Sequence, residues 1–467
     1  MMWNFDYYLD STACIDEDGG ETTYAEIVAA SERISKLVKP RDLVFSFCEN
    51  RAGSLVGYVS FLSNRIVPLL LDSGMQDDLA SGLVEAYQPS FIWAPEHKTI
   101  PGYKTIFSDW GYKLLETGLK AFPLHDELAL LVTTSGSTGS PKLVRQSYKN
   151  IYSNTSSIVE YLKIGASERP ITTLPMNYVY GLSIVNSHLF KGATILLTTK
   201  GLMQKEFWGF FKEYEATSIA GVPYTYEMLK RLKFTSMGLP SLRMMTQAGG
   251  KLNPDLHKEF AEYAEEKGVD FVIMYGAAEA TARMGYLPAE KSLMKYGCMG
   301  IAIPGGRFDL VDEDGGVIND PDIVGELVYY GDNVTMGYAE CGEDLIKGDE
   351  RGGRYETGDM ATCDSDGYYT IVGRKKRFLK IFGNRVGLDE VERIIRSAFP
   401  SIECACGGVD DKMTVFITDF AVSEEVISFI SGKTGLNHTA FKTVYIEKIP
   451  RNEAGKILYN ELGKISD

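Results

Sequence analysis

The sequence predicts an α/β fold: a large N-terminal domain of α/β layers with a small β-rich subdomain, followed by a small α+β C-terminal domain. The length of 467 residues exceeds the size at which a single hydrophobic core stops growing, so at least two domains are expected. Helical and strand-like apolar patterns alternate through the first two-thirds of the chain, and short strands separated by Asp/Gly turns follow them.

The α/β layers are predicted from individual segments. A helical pattern runs from Tyr24 to Val38, and short apolar runs on both sides of it are typical of buried strands. Strands that alternate with helices indicate βαβ units and largely parallel sheets. The β-rich subdomain is predicted from later segments in which apolar and polar residues alternate. The predicted strands cover 42–48, 66–71, 129–133, 325–330 and 367–373.

The C-terminal domain begins where the composition changes. A run of four basic residues at 374–377 contains no acid, and a solvated surface is the ordinary interpretation of such a run. An amphipathic helix over 388–399, a strand near 413–418, another helix, and a final strand and turn follow it. The chain is therefore divided into 1–373 and 378–467, and the second part is large enough to fold alone.

Composition and charge argue against several classes of function. The formal charge of −15 and the isoelectric point near 5.0 disfavour nucleic acid or an anionic membrane as a partner. The N-terminus lacks the features of a secretion signal, and no apolar run approaches the ~20 residues that span a bilayer, so a cytoplasmic protein without a membrane span is expected. Seven scattered cysteines favour reduced thiols, and Cys404 and Cys406 are interpreted as strand residues.

The segment over 130–142 carries the strongest chemical signal. An apolar strand runs into a loop of hydroxyl and glycine residues that ends in Lys142. Such a loop lets backbone N–H groups approach phosphate oxygens, and the ammonium group neutralises their charge. It is not a Walker A loop, because Gly139 is followed by Ser-Pro-Lys, and a flexible surface turn is the alternative. The predicted phosphate contacts are Thr134, Ser135, Gly136, Ser137, Thr138, Gly139 and Lys142.

This loop resembles the phosphate loop of the AMP-forming adenylating superfamily, which comprises acyl-CoA ligases, nonribosomal peptide adenylation domains and luciferases. Four further segments resemble its motifs in the same order and span nearly the whole chain. They are Tyr-Gly-Ala-Ala-Glu at 275–279, Tyr-Glu-Thr-Gly-Asp at 355–359, the stretch from Gly-Arg at 373–374 to 383–386, and Pro-Arg-Asn-Glu-Ala-Gly-Lys at 450–456.

The resemblance implies a reaction in two steps. A carboxylic acid is activated by ATP to acyl-AMP with release of pyrophosphate, and the acyl group then passes to a thiol of CoA or of a carrier-protein phosphopantetheine. The implied cofactors are ATP, Mg²⁺ and CoA or the phosphopantetheine carrier. The implied partners are a small carboxylic acid and CoA or an acyl carrier protein.

The resemblance also assigns residues to the nucleotide. Tyr275 offers a flat face for adenine, although an aromatic residue at a strand end is as often part of the core. Glu279 suits Mg²⁺, which takes one or two carboxylates plus substrate oxygens. Asp359, in a Gly-Asp turn, accepts hydrogen bonds from the ribose hydroxyls, and Arg374 contacts the same ribose. A solvated glutamate and a turn-forming aspartate are the alternatives. Further implied contacts are Gly249, Gly250, Lys251, Gly276, Ala277 and Ala278.

The resemblance also implies roles for three residues of the C-terminal part, which is expected to rotate between the two steps of the reaction. Lys456 is the implied catalytic lysine of adenylate formation, because a fixed cation stabilises the negative charge that grows on the phosphate oxygens. A lysine near a C-terminus is otherwise a solvated residue. Lys376 is the implied hinge within 374–377, about which a mobile C-terminal domain rotates. Gly383 lies on the loop implied to line the thiol channel.

The acyl pocket in relatives is built from the segment equivalent to 174–182 and its neighbours. Amino-acid-activating relatives carry an Asp there for the α-ammonium group, and none stands between Leu174 and Leu182. The hypothesis is therefore a carboxylic acid without an α-ammonium group. Tyrosines at such positions are equally consistent with core packing. The predicted lining is Tyr178, Tyr180, Tyr224, Gln247 and Met274.

Three alternatives to an acyl-CoA synthetase-like ligase remain. An amino-acid–carrier protein ligase would share the motifs, and a catalytically inert homologue would bind nucleotide and serve as a partner protein. An unrelated nucleotide hydrolase would release ADP rather than AMP. Two departures from the family pattern, Ala278 for the usual threonine and Leu143 for the usual glycine, bear on rate rather than on the type of chemistry.

Overall fold

The computed structural model describes residues 3–133, 142–375, 377–382, 384–451 and 457–466. Within these residues the strands, β1 to β27 in chain order, are Thr12–Asp16, Glu21–Thr23, Leu43–Cys48, Val67–Asp72, Phe91–Pro95, Lys104–Asp109, Tyr112–Glu116, Leu128–Thr133, Leu143–Ser147, Pro170–Ile171, Ile195–Leu197, Ser218–Gly221, Met244–Gln247, Asp270–Tyr275, Gly285–Leu287, Ile301–Ala302, Gly306–Val311, Val317–Ile318, Gly325–Gly331, Gly337–Ala339, Arg354–Cys363, Tyr369–Arg374, Phe378–Ile381, Asn384–Gly387, Cys404–Val409, Lys412–Ile417 and Phe441–Tyr445. The α-helices of the same residues, α1 to α11, are Tyr24–Ile34, Ala52–Ser63, Asp77–Tyr87, Tyr148–Tyr161, Val179–Leu189, Lys205–Glu213, Pro223–Arg231, Pro254–Lys267, Leu388–Ala398, Ser423–Thr434 and Tyr459–Ser466.

The chain divides into two compact units. The first contains residues 3–133, 142–307 and 330–355, and the second contains 308–329 together with the described residues from 356 to 466. The predicted α/β class is confirmed, with large sheets in the first unit and smaller sheets with helices in the second. The domain boundary at 374–377 stays a prediction, and the β-rich segments just before it belong to the second unit.

Two large sheets form the first unit. One has nine strands in the order β16-β15-β14-β13-β12-β10-β11-β1-β2, and the other has eight in the order β20-β9-β8-β4-β3-β5-β7-β6. The prediction of largely parallel sheets holds for their centres, whereas the edge strands pair antiparallel. At one edge the antiparallel pairing comes from the β6–β7 hairpin, whose two-residue turn of Trp110 and Gly111 has positive φ at both positions. Turns of that type join antiparallel strands.

Strand β9 determines where the end of the phosphate loop lies. It follows Lys142 directly and pairs antiparallel with β8 on one side and with β20 on the other. In the second pairing Val144 lies opposite Tyr338 and Leu143 opposite Ala339. The polar side chain of Ser147 then caps α4 by accepting a hydrogen bond from the Asn150 N–H. Residue 142 is therefore held beside β20 by a backbone ladder.

The second unit combines three smaller sheets with helices. Strands β18-β17-β19-β21-β22 form a five-stranded sheet to which the unit contributes most residues, β23 and β24 form a hairpin, and β25-β26-β27 form a three-stranded sheet. Cys404 and Cys406 are buried residues of β25, as predicted. Helix α11 was not predicted, because the sequence indicated only a final strand and turn. Its Leu462 packs with Ala405 and Phe416, and such packing stabilises helices too short to form alone.

The cysteine side chains are free thiols, as predicted. Six of the seven have a raised thiol pKa. The main cause is burial, except at Cys341, where a hydrogen bond with Glu343 contributes most. Among the residues that the structure describes, no helix is both long enough and apolar enough to cross a membrane. The six thiols are Cys14, Cys48, Cys341, Cys363, Cys404 and Cys406.

Candidate active site

Lys142 and Glu279 are brought together by a residue that the motifs do not include, Tyr338 of β20. The Lys142 Nζ lies 3.8 Å from the centroid of the Tyr338 ring. The Tyr338 Oη donates a hydrogen bond of 2.6 Å to Glu279 Oε1. One aromatic side chain therefore contacts both the cation at the end of the phosphate loop and the carboxylate predicted to hold Mg²⁺.

Lys142 and Glu279 each retain capacity for a ligand. The Lys142 ammonium has one acidic neighbour in the described chain, the exposed Glu340 at 3.7 Å, a contact that is weak in water. The Glu279 Oε2 accepts no hydrogen bond from any described residue. Burial, and then the Glu279 carboxylate, raise the pKa of Tyr338 to about 12, so the phenol keeps its proton and acts as the donor. A carboxylate with one oxygen available and a nearby ammonium fit a metal-bound phosphate.

Backbone contacts fix the position of Glu279. It lies in a single 3-10 turn, Ala278–Ala280, directly after β14. Its carbonyl oxygen accepts hydrogen bonds from the N–H and the hydroxyl of Thr335, at 3.0 and 2.9 Å. A second cation also lies nearby, because the Arg351 guanidinium is 4.7 Å from the Tyr338 ring centroid. The carboxylate is thus attached to the segment that carries Tyr338.

The loop that follows β13 has a shape that only glycine permits. Gly249 has φ of +82°, and a Cβ there would lie 2.7 Å from the Tyr178 Oη and 3.1 Å from a Val222 methyl group. The Gln247 side-chain amide donates to the carbonyl oxygens of Ala248 and Gly250, at 3.0 and 2.9 Å. Predicted nucleotide residues and predicted acyl-pocket residues are therefore in direct contact here. Lys251 continues the same loop.

Tyr275 is the last residue of β14, as expected for an aromatic side chain at a strand end. The next residue must be glycine, since a Cβ on Gly276 would lie 1.8 Å from the Ala282 carbonyl oxygen. Ala277 and Ala278 lead from there to Glu279. The backbone after Tyr275 is therefore tightly folded, and it fixes the position of Glu279.

Three of the five predicted acyl-pocket residues, Tyr178, Tyr180 and Met274, lie close to one another. Tyr178 and Tyr180 have ring centroids 6.3 Å apart, and Tyr180 and Met274 belong to one buried cluster. The Tyr180 hydroxyl shares a hydrogen bond of 2.8 Å with Thr246. Gln247 is fully buried, whereas Tyr224, in the first turn of α7, is 48% exposed.

The second unit contains Asp359 and Arg374. The expectation of a Gly-Asp turn is wrong, because Asp359 lies within β21 opposite Arg374 of β22. The backbone ladder continues through the bend that Gly358 introduces with φ of +70°. Asp359 is 6% exposed, and its Oδ1 lies 2.9 Å from the Arg374 Nε. The two predicted ribose contacts therefore form an ion pair.

The described cations of the basic run are each paired with an acid, and two of them remain exposed to solvent. Lys375 lies 2.6 Å from Glu326, and Arg377 lies 2.5 Å from Asp389 and 2.6 Å from Glu392. The Arg377 guanidinium also stacks 3.6 Å from the Tyr459 ring centroid. Burial raises the pKa of Glu392 despite these guanidinium neighbours. Arg374 and Lys375 stay exposed, as a solvated surface predicts, whereas the solvated interpretation is wrong for Arg377, which is largely buried.

Several predicted residues lie outside the described residues. They are Thr134, Ser135, Gly136, Ser137, Thr138 and Gly139 of the phosphate loop, the hinge Lys376, Gly383 of the thiol channel, and Lys456. In the described part of the chain no group of three or more His, Cys, Asp or Glu side chains is arranged to hold a metal ion.

Three residues near the candidate site were missed by sequence reasoning. Tyr338 contacts both Glu279 and Lys142, which lie far from it in the sequence, and Arg351 contacts the Tyr338 ring; no local pattern indicates either residue. Arg283 is buried beside Tyr180 and Met274, and its sequence did contain a signal. It is the only charged residue between Glu279 and Glu290, and a cation within an apolar segment indicates a buried charge.

Comparisons with known proteins identify relatives over most of the chain. A family model described as "AMP-binding enzyme" matches residues 3–339. A 2-succinylbenzoate–CoA ligase of Bacillus cereus is 28% identical over 352 residues, which cover 73% of this chain and 70% of that protein. An indoleacetate–CoA ligase of Aromatoleum aromaticum is 26% identical over 371 residues, covering 75% of this chain and 71% of that protein.

Solved structures share the fold along nearly the full length. O-succinylbenzoate coenzyme A synthetase from Bacillus subtilis, in complex with AMP, has a TM-score of 0.78 and 24% identity, covering 97% of this chain and 95% of that one. An anthranilate CoA ligase in complex with anthranoyl-AMP has a TM-score of 0.79 and 18% identity, covering 99% and 96%. These similarities confirm the predicted fold class.

Proposed function

This chain belongs to the AMP-binding enzyme family, and from that premise we propose that it is an AMP-forming acid–thiol ligase. It activates a carboxylic acid with ATP, releases pyrophosphate and transfers the acyl group from acyl-AMP to a thiol. The relatives are named as CoA ligases, and we propose the same type of activity for this protein. We place the reaction in the cytoplasm.

The arrangement of Lys142, Tyr338 and Glu279 is the observation that carries the proposal. An ammonium group 3.8 Å from the ring and a carboxylate 2.6 Å from the hydroxyl of the same tyrosine give one positive and one negative group in fixed relation. Phosphoryl chemistry depends mainly on such positioning and on charge stabilisation. Hydrolysis to ADP would need these groups equally, so the products of the reaction decide between the two activities.

The residues of the first unit fit ATP and Mg²⁺. Glu279 offers the metal one carboxylate oxygen that accepts no hydrogen bond from a described residue, and the metal would neutralise charge on the phosphates when bound. Lys142 neutralises the phosphate oxygens, and Tyr275 presents a ring to adenine. Asp359 and Arg374 are proposed to contact the ribose hydroxyls, which requires Arg374 to share or release its contact with Asp359.

We propose Lys456 as the cation that meets the charge growing on the α-phosphate during attack by the carboxylate. The proposal for Lys376 as hinge is supported by the contacts of its neighbours. Lys375, before it, is paired with Glu326 of β19, whereas Arg377, after it, is paired with Asp389 and Glu392 of α9. The Lys375 N–H also donates to the Gly358 carbonyl oxygen at 2.8 Å, and attachment on both sides would concentrate rotation at the residue between them.

CoA is the acceptor that the printed names of the relatives support, and a carrier protein is the alternative. Gly383 would lie on the loop that the thiol approaches. For the acid, we propose a compound without an α-ammonium group, held by Tyr178, Tyr180, Gln247 and Met274. Faster pyrophosphate exchange with α-amino acids than with other carboxylic acids would contradict this choice and favour an amino-acid–carrier ligase.

The experiment is a product analysis with two variants. The wild type, given ATP, Mg²⁺ and a panel of carboxylic acids with or without CoA, is expected to release AMP and pyrophosphate only when a suitable acid is present. Lys456→Ala should lose at least ~100-fold in pyrophosphate exchange and still bind ATP. Release of ADP would identify a hydrolase. The absence of any turnover, with ATP binding intact, would identify an inert nucleotide-binding partner protein.

A further inference from the structure

Arg283 is a buried cation whose side-chain contacts in the described chain are all with neutral groups. The residue is 2% exposed. Its Nε donates to the Ser183 Oγ at 3.1 Å, and its Nη1 lies 3.2 Å from the Tyr161 Oη and 3.0 Å from the Met274 Sδ. Its Cζ is 5.1 Å from the Tyr180 ring centroid.

The other large buried cation of the first unit is compensated differently. Arg145, on β9, is also fully buried, and its Nη2 lies 2.5 Å from the Glu350 carboxylate. Arg283 has no acidic partner among the described residues. A guanidinium group does not lose its proton in a protein, so burial cannot neutralise it. Burying a charge without a counter-charge is strongly unfavourable, and neutral partners compensate only in part.

The guanidinium also retains donors. Hydrogen bonds to described residues involve Nε and Nη1, while Nη2 donates to none of them. The surrounding side chains belong to the cluster that contains the proposed acyl pocket. Met274 and Tyr180 are proposed pocket residues, and Tyr161 stacks on Tyr286 of the same cluster at 4.2 Å. The positive charge therefore lies beside residues of the proposed acyl pocket.

The Arg283 charge also affects the pKa of a neighbouring side chain. His188 of α5 is buried, and burial, together with the Arg283 charge, lowers its pKa to about 4. The ring therefore stays neutral at physiological pH and offers the guanidinium no negative charge. Titratable groups that face Arg283 from α4 and α5 are thus neutral: Tyr161, Tyr180 and His188.

We propose that Arg283 determines substrate specificity by binding a second carboxylate, at the end of the acid remote from the carboxyl group that is adenylated. The substrate class is then a dicarboxylic acid. An arginine suits this role because its fork of N–H donors matches the two oxygens of a carboxylate. This inference rests on the proposed ligase function, and it adds the chemical class of the acid.

The test compares matched acids in pyrophosphate release: succinate with butyrate, glutarate with pentanoate, and phthalate with benzoate. The wild type is expected to have kcat/KM at least ~10-fold higher for the best dicarboxylate than for its partner. Arg283→Met keeps a similar volume without the charge and should lose at least ~10-fold on the dicarboxylate, mainly through KM, with no loss on the monocarboxylate. Ser183→Ala, which keeps the charge, should preserve the preference.

A second measurement does not depend on turnover. Dicarboxylates should raise the Tm of the wild type without ATP, and this increase should be absent in Arg283→Met. A purely structural role predicts instead that Arg283→Met unfolds at lower temperature and keeps the acid preference of the wild type. A wild type that prefers monocarboxylates would overturn the proposal and leave the ligase function intact. If no acid releases pyrophosphate, the ligase function fails, and the Tm increase alone decides whether Arg283 binds a dicarboxylate.

Discussion

Tyr338→Phe is the most informative single change, because it removes one hydroxyl and keeps the ring. The lost hydrogen bond is the 2.6 Å contact with the Glu279 carboxylate, and the ring beside Lys142 remains. A hydrogen bond to a charged group contributes about 1.5–3 kcal/mol. Both side chains are only partly buried, so the lower value, about 1.5 kcal/mol, is appropriate and corresponds to a roughly tenfold change.

The assay is pyrophosphate release at a series of Mg²⁺ concentrations. We expect kcat/KM for ATP to fall about tenfold and half-saturation to require more Mg²⁺, because the carboxylate is no longer oriented. Tyr87→Phe is the control, since its buried hydroxyl donates at 2.9 Å to the carbonyl oxygen of Ala339, the residue after Tyr338. That variant should lose stability and keep activity. Activity of Tyr338→Phe within about twofold of wild type, or equal loss in both variants, would refute the reasoning.

Three further predictions concern the hinge, the acid-binding loop and pH. Lys376→Pro restricts the backbone at the proposed hinge, so adenylation should change less than ~2-fold and thioester formation should fall at least ~10-fold; equal loss of both half-reactions would count against the hinge. Gly249→Ala places a Cβ 2.7 Å from the Tyr178 Oη, so KM for the acid should rise, whereas Gly118→Ala, also at positive φ but with open space, should change only Tm. Equal KM values in the two glycine variants would contradict this. Burial lowers the pKa of His257 from 6.5 to about 4, so this side chain is protonated at a lower pH in the folded chain than in the unfolded chain. The free energy of unfolding should therefore be highest above pH 6.5 and fall by about 3 kcal/mol towards pH 4, and His257→Asn should flatten this slope in urea titrations. An unchanged slope in the variant would assign the pH dependence to other groups.

The sequence predicts best what is determined locally. The strand before the phosphate loop, the strand Leu43–Cys48 and the helix that begins at Leu388 all lie within a few residues of their predicted bounds. Each is encoded by the periodicity of a few neighbouring residues. Gly276 is required because its backbone passes the Ala282 carbonyl group, so the glycine of the motif has a steric cause.

Contacts between distant segments could not be predicted in this way. Tyr338 reaches Glu279 across 59 residues of sequence, and Arg283 reaches Ser183 across 100. Such contacts depend on which strands pair and which helices pack, and no local pattern specifies them. The acid partners of the basic run were missed for the same reason, because the acids that pair with Lys375 and Arg377 lie 49 and 12 to 15 residues away.

The state of the thiols has a consequence for self-protection. An acyl adenylate is an acylating agent, and the thiolate form of a cysteine is the nucleophile that it would modify. Six of the seven thiols have a raised pKa, so they remain protonated near neutral pH. These six side chains therefore compete poorly for the activated acid. In the proposed ligase, most of the cysteine thiols are thus held in an unreactive form, which leaves the acyl group to the thiol of the acceptor.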